Sequence, residues 1–275
     1  MTTLAGRTTA PRPRFRDLVA AEWIKFWSLR STYGSMALIL GAAIVFSAYA
    51  ASADYHNWPT YGAQRRALFN PLRDAFPEQA YVFVMLAAAS VGAVAIVGEY
   101  STGLLRTTFA AVPARRSVVA AKLVVVATVM TAVGAIAAVT GFAVSQAILS
   151  GRQADTSLGG SGVLRAIAAS ALLAPLCALV GMGLGVLIRH TAATIVTAVA
   201  ILLLLPTAFD EDRRWKADVY HTLPLAAWER LVEPSALQAF YSPYPATITG
   251  SWIVYAAWPL AAVLLAVLVI QRRDL

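Results

Sequence analysis

The sequence predicts an all-α integral membrane protein, with six transmembrane helices preceded by an amphipathic interfacial helix. Three observations carry this. The 275-residue chain is 59% hydrophobic and only 13% charged, about half the charged fraction of an ordinary soluble domain. Its mean hydropathy is +0.67. Its apolar residues gather into six stretches, each able to cross about 30 Å of hydrocarbon, with the charges lying between them.

Residues 1–14 read as a disordered basic tail. The first long apolar run starts near Thr32. It lies too far in, and is too long, for the apolar core of a signal peptide. Before it, residues 15–31 repeat apolar side chains at helical spacing: Phe15, Leu18, Val19, Trp23, Phe26 and Trp27. Arg16, Asp17, Glu22 and Lys25 fall between them. This is the pattern of a helix lying in the interface plane, tryptophans at headgroup level.

The transmembrane domain then occupies 32–275, with spans at 32–53, 79–97, 118–149, 163–188, 191–209 and 252–270. The third is long, about 48 Å at 1.5 Å per residue, and has to tilt or project. Lys122 in its first turns places its start in water. Only Arg189 and His190 separate the fourth and fifth spans, so a tight hairpin with Arg189 at its tip is expected. Pro175 and Pro259 lie inside the fourth and sixth spans and are expected to bend them. Gly181 and Gly185, and the run Gly134, Ala138 and Gly141, permit close helix approach and are compatible with a dimer interface.

The net charge of +8 does not form a stripe for nucleic acid. Its basic residues cluster at one end of the spans: Arg7, Arg12, Arg14, Arg16, Lys25 and Arg30 before the first, Arg106, Arg115, Arg116 and Lys122 between the second and third, then Arg189, Arg272 and Arg273. By the positive-inside rule both termini are cytoplasmic. The loop 210–251 and the connection 54–78 then face outward. Trp228, Leu231, Leu237, Phe240 and Tyr241 in the first, and Tyr55, Trp58, Tyr61 and Phe69 in the second, are too apolar for full exposure.

The sequence carries no sign of catalysis. Cys177 is the single cysteine, and His56, His190 and His221 have no ligand spacing, so no metal site is expected. No phosphate-binding loop, zinc-protease helix or nucleophile elbow occurs. Ionisable residues are nearly absent at mid-depth of the spans, which argues against a proton- or sodium-coupled carrier and against a carboxylate-based membrane enzyme.

The connection 98–117 holds the most specific pattern. Gly98 and Gly103 loosen the exit from the second span, a short helical stretch follows over 101–111, and Pro113 ends it. Glu99 lies at the membrane boundary, where an acid needs a partner; Arg106 and Lys122 are the candidates. The run Glu99, Tyr100, Ser101, Thr102, Gly103, then Arg106, Thr107, Thr108, Phe109, Pro113, Arg115, Arg116 and Lys122, resembles the cytoplasmic loop of ATP-binding-cassette (ABC) type-2 exporter permeases of bacteria. The entry segment with Glu22, Trp23, Ile24 and Lys25, and the six-span layout with its large outer loop, are similar to that family over nearly the whole chain.

The resemblance implies the membrane-spanning subunit of an ATP-driven exporter in the bacterial inner (plasma) membrane. No cofactor would be its own, since ATP-Mg would bind a separate ABC ATPase subunit. Residues 99–109 would form a coupling helix docked on that partner, steadied by Arg115, Arg116 and Lys122. Glu22, Trp23, Lys25, Phe26 and Trp27 would lie on a connecting helix beside it. A second permease copy or homologue would complete a homo- or heterodimer, and short, partly re-entrant helices would cap the outer end. A lining without charge suits a lipophilic or amphipathic cargo. The rival readings are a non-transporting scaffold or signalling partner of an ATPase, and a membrane enzyme.

Overall fold

A computed structural model of the chain describes residues 14–104, 107–108, 114–209, 212–233 and 243–272. The tail 1–13, Arg106, Phe109 and Pro113 of the 98–117 connection, and Leu237, Phe240 and Tyr241 of the 210–251 loop lie outside the described residues. These form helices and no strand. Helix α1 is Phe15–Ser28, α2 Arg30–Asn57, α3 Ala63–Ala67, α4 Pro71–Ala75, α5 Glu78–Ser101 and α6 Arg115–Leu149. Helix α7 is Val163–Ile188, and α8 is the continuous apolar stretch Thr191–Thr207. Two short helices follow, α9 (Arg214–Tyr220) and α10 (Pro224–Val232), and then α11 (Ile248–Arg272).

Five of these, α2, α5, α6, α7 and α11, are long and apolar enough to cross a membrane. Helix α8 stands where the fifth of the six spans is expected, but it is shorter. Its middle turn, Ala200–Leu204, widens into a π-helix just before Pro206. A proline cannot donate into the preceding turn, and a π-bulge absorbs the mismatch.

Helix α7 is the hub, packing against α5, α6 and α11, while α2 packs against α5 and α6. Helices apolar on every side are buried in a bundle, and α5 and α7 are the most enclosed of the long helices, α11 the least. Large apolar side chains such as Val45, Tyr49, Val196 and Leu264 point outward, the surface a bilayer would cover.

Glycines set the spacing around α7. A Cβ on Gly92 of α5 would stand 1.8 Å from the Ala178 carbonyl oxygen of α7, and one on Gly181 of α7 would stand 2.1 Å from that of Ala89 on α5. Gly134 of α6 approaches the Ala171 carbonyl of α7 in the same way, at 2.2 Å. Gly185 and Gly141 are likewise covered, by Ile96 and by Ser47. The small residues that looked compatible with a dimer interface are therefore used inside the subunit, where backbone-to-backbone contact replaces side-chain packing.

The α7–α8 hairpin is as tight as its two-residue link requires. Arg189 takes a left-handed conformation (φ 60°) and ends α7, and the His190 ring accepts the Ala193 amide at the start of α8. Both α7 and α11 run unbroken through Pro175 and Pro259.

Part of the 210–251 segment folds inward. Trp228 of α10 is buried, stacks on Tyr81 of α5 with 4.7 Å between ring centroids, and donates its indole N–H to Ser170 Oγ of α7. Burying an aromatic body while satisfying its polar edge makes Trp228 an anchor.

Candidate functional site

Helix α1 docks at the end of the bundle where α5 exits and α6 begins. Leu29 is extended and breaks the chain between α1 and α2. Thr32 and Tyr33, on the first turn of α2, donate their hydroxyls back to the carbonyls of Phe26 and Trp27 and hold the corner. The face that α1 turns inward is not its tryptophan-rich one. Glu22 and Phe26 are buried, Trp27 is partly covered, and Trp23 and Ile24 are exposed.

The cause is electrostatic. Glu22 reaches Lys122 of α6, with Lys122 Nζ 2.5 Å from Glu22 Oε2. Lys122 Nζ also donates to Glu99 Oε1 of α5 at 2.9 Å. Lys25 closes the figure, donating to Glu22 Oε1 at 2.7 Å and to Glu99 Oε1 at 3.2 Å. Two acids and two bases from three helices thus alternate around a four-membered ring. Glu22, Lys122 and Glu99 are only 4%, 6% and 8% exposed. Charges taken from water are tolerated when each finds opposite partners in good geometry. Every member of the ring has two.

This corrects the expectation that Lys122 stands in water at a projecting helix start. Helix α1 covers that start and supplies the counter-charge. Lys122, one of the two candidate partners of Glu99, is brought to it, together with Lys25. Arg106 lies outside the described residues.

The burial of Lys25 pulls its pKa down. The Glu22 hydrogen bond and the charges of Glu99 and Glu22 outweigh that and raise it above the ordinary lysine value of 10.5. Lys25 therefore holds its proton throughout the neutral range.

The exit of α5 differs from expectation at one glycine. Gly98 lies inside the helix, and its carbonyl accepts the Thr102 amide and the hydroxyls of Ser101 and Thr102. Gly103 is where the helix ends, at φ 70°, with its amide donated to the Tyr100 carbonyl. A left-handed residue just past the last turn, its amide bonded three residues back, is how glycine closes an α-helix. Beyond it Thr107 and Thr108 are helical, and both hydroxyls donate to the Leu104 carbonyl. Arg116 is exposed on the first turn of α6, and only the backbone of Arg115 is described.

A cavity of about 300 Å³ opens beside the charge ring between α1, α5 and α6, with Phe26, Leu29, Val94 and Val125 on its apolar wall. On the other side of α5 the Arg189 guanidinium lies over the Tyr100 ring, 4.9 Å from its centroid, a cation–π contact that seats the α7–α8 hairpin against the exit of α5. The sequence carried no sign of this pairing. It did carry one of the Glu22–Lys25 pair, which stands at helical i,i+3 spacing.

Among the described residues no group of three metal-ligating side chains occurs. The arrangement ties the three helices together. It makes α1, the end of α5 and the start of α6 one body, from which the 98–117 connection emerges.

No protein-family model and no curated protein sequence matches the chain, so function has to be argued from this geometry.

Proposed function

We propose that the chain is the membrane-spanning permease subunit of an ATP-driven ABC exporter, carrying a lipophilic or amphipathic compound out of the cytoplasm. The observation that carries the reading is the ring Glu22–Lys122–Glu99–Lys25. A push on the 98–117 connection by a separate ATPase would not bend one helix alone. It would move α1, α5 and α6 together, which is what a permease without its own ATP site requires.

In this reading α8 is the fifth of six spans. At about 1.5 Å per residue, seventeen residues reach about 25 Å, the short end of what a bilayer accepts. Both termini and the charge ring face the cytoplasm of a bacterial cell, and a second permease copy or homologue completes the path. ATP-Mg is bound by the partner subunit. The lipid-facing side chains and the scarcity of mid-depth charge support an apolar cargo.

The test is co-purification from native membranes, followed by ATPase assay of the wild type and of Glu99→Ala combined with Arg106→Ala. The expected result is a stoichiometric ATPase whose activity responds to lipophilic compounds and loses that response in the variant. Absence of any ATPase under gentle extraction overturns the proposal. An ATPase that binds but ignores every compound supports a non-transporting scaffold instead.

A further inference from the structure

The cavity between α1, α5 and α6 has two unlike parts. One is walled by Phe26, Val94, Ala95, Val125 and Val126, whose side chains offer no hydrogen bond. A water molecule needs about two to four polar partners, so this part suits hydrocarbon and not water. The other part is formed by the charge ring and the exit of α5, with Lys25, Glu99, Ser101 and Thr102.

The ring leaves two groups unspent. Glu22 uses both carboxylate oxygens, Oε1 on Lys25 and Oε2 on Lys122. Glu99 uses one. Its Oε1 accepts from both lysines, and its Oε2 accepts no hydrogen bond among the described residues. That oxygen is not enclosed, and Glu99 lines the cavity. Lys25 has three N–H groups. It gives two to the acids, at 2.7 and 3.2 Å, and is partly exposed where it lines the cavity. The spare acceptor and the spare donor stand close, because the ammonium is already bonded to the other oxygen of the same carboxylate.

The neighbouring hydroxyls add acceptors. Ser28 gives its hydrogen to the Lys25 carbonyl, and Ser101 and Thr102 give theirs to that of Gly98. Each keeps lone pairs to offer.

Charge decides what can bind. The two acids and two bases of the ring cancel. A cationic head at Glu99 would meet two ammonium groups already within 3.2 Å of that carboxylate. An anionic head at Lys25 would meet Glu22 and Glu99. Either would bring an unpaired charge to a place largely removed from water. A hydroxyl donates one hydrogen and accepts another without adding charge.

We infer that this cavity binds an uncharged single-chain alcohol, its hydroxyl donating to Glu99 Oε2 and accepting from Lys25, its chain lying along Phe26, Val94 and Val125. The volume, about 300 Å³, stands at the small end of ligand sites and suits one short chain, not a two-chain lipid. The inference rests on the ring and its cavity and not on the exporter reading. It needs no ATPase, so either can fail while the other stands.

The test is photolabelling of the full-length protein in phosphatidylcholine nanodiscs, whose lipid carries no hydroxyl. The probe is decanol with a diazirine in its chain, and labelled peptides are mapped by mass spectrometry. Saturable labelling is expected within residues 94–104 or 122–126, and excess decanol should displace it. Decane, decanesulfonate and decylamine should displace it at least tenfold less well. Absence of saturable labelling there overturns the inference, as does displacement by decane or by either ionic chain at the same concentration as decanol. Val94→Phe fills the apolar part and should abolish the labelling. Wild-type labelling of that variant, with an unchanged thermal midpoint, overturns the inference equally. Should the variant fail to fold, the displacement series on unmodified protein decides alone.

Discussion

Glu22 and Lys122, remote in sequence, meet at 2.5 Å in a place where both are almost fully buried. Neither is stable there alone. Lys122→Met leaves Glu22 and Glu99 with only the partly exposed Lys25 between them, and is expected to cost about 3–5 kcal/mol, the range for breaking a buried pair from one side. Combining Lys122→Met with Glu22→Gln, so that the ring keeps one acid and one base, should recover most of the loss. The thermal midpoint of the detergent-solubilised protein measures both. Equal destabilisation by the single and double variants would contradict the pairing.

The ring also sets an alkaline limit. The Lys25 pKa is raised above 10.5, so its contribution is complete below the unfolded value and is lost as pH rises through the folded one. Docking of α1 should therefore be constant from neutral pH to about 10 and weaken only above the ordinary lysine range. Tryptophan emission follows this, because Trp23 and Trp27 pack edge to face on α1 beside the ring. Lys25→Met should remove the lysine-dependent part of the transition.

Glycine substitutions should separate sharply by position. Gly92→Ala places a Cβ 1.8 Å from the Ala178 oxygen, and overpacking of this kind costs about 1–3 kcal/mol or more. Gly41 of α2 has nothing within 4 Å of a built Cβ, so Gly41→Ala should change stability by no more than about 0.5–1 kcal/mol, and in the stabilising direction, since alanine suits a helix interior better. Yield and thermal midpoint of the two variants give the comparison.

Trp228→Ala should cost about 3–5 kcal/mol, the usual range for emptying a buried aromatic site. Trp228→Phe keeps the stack on Tyr81 but leaves Ser170 Oγ without its indole donor, and should cost about 1 kcal/mol. Denaturation midpoints distinguish the two.

Apolar length made the long helices legible. The α7 boundaries follow directly from the run of small and branched residues between Gly162 and Arg189, and the hairpin follows from the two residues left to turn it. The fifth span was harder, because its hydropathy says nothing about the π-turn that Pro206 imposes. Composition showed charge at one end of the bundle but not its pairing. Glu99 has an identifiable need for a partner, yet which lysine meets it depends on where α1 lands. The spacing of Leu18, Val19, Phe26 and Trp27 does mark the side of α1 that packs on the core, but it carries no sign that Glu22 is buried among them beside Lys122.

The ring of two acids and two bases has a final consequence, for voltage. Moving one elementary charge through a membrane potential is worth about 2.3 kcal/mol per 100 mV. A neutral ring feels no such net force, so in the proposed export cycle a movement of α1, α5 and α6 together is not driven by the potential through these four residues. Loss of either lysine would leave a net negative charge at the ring and, in the proposed cycle, couple that movement to the membrane potential.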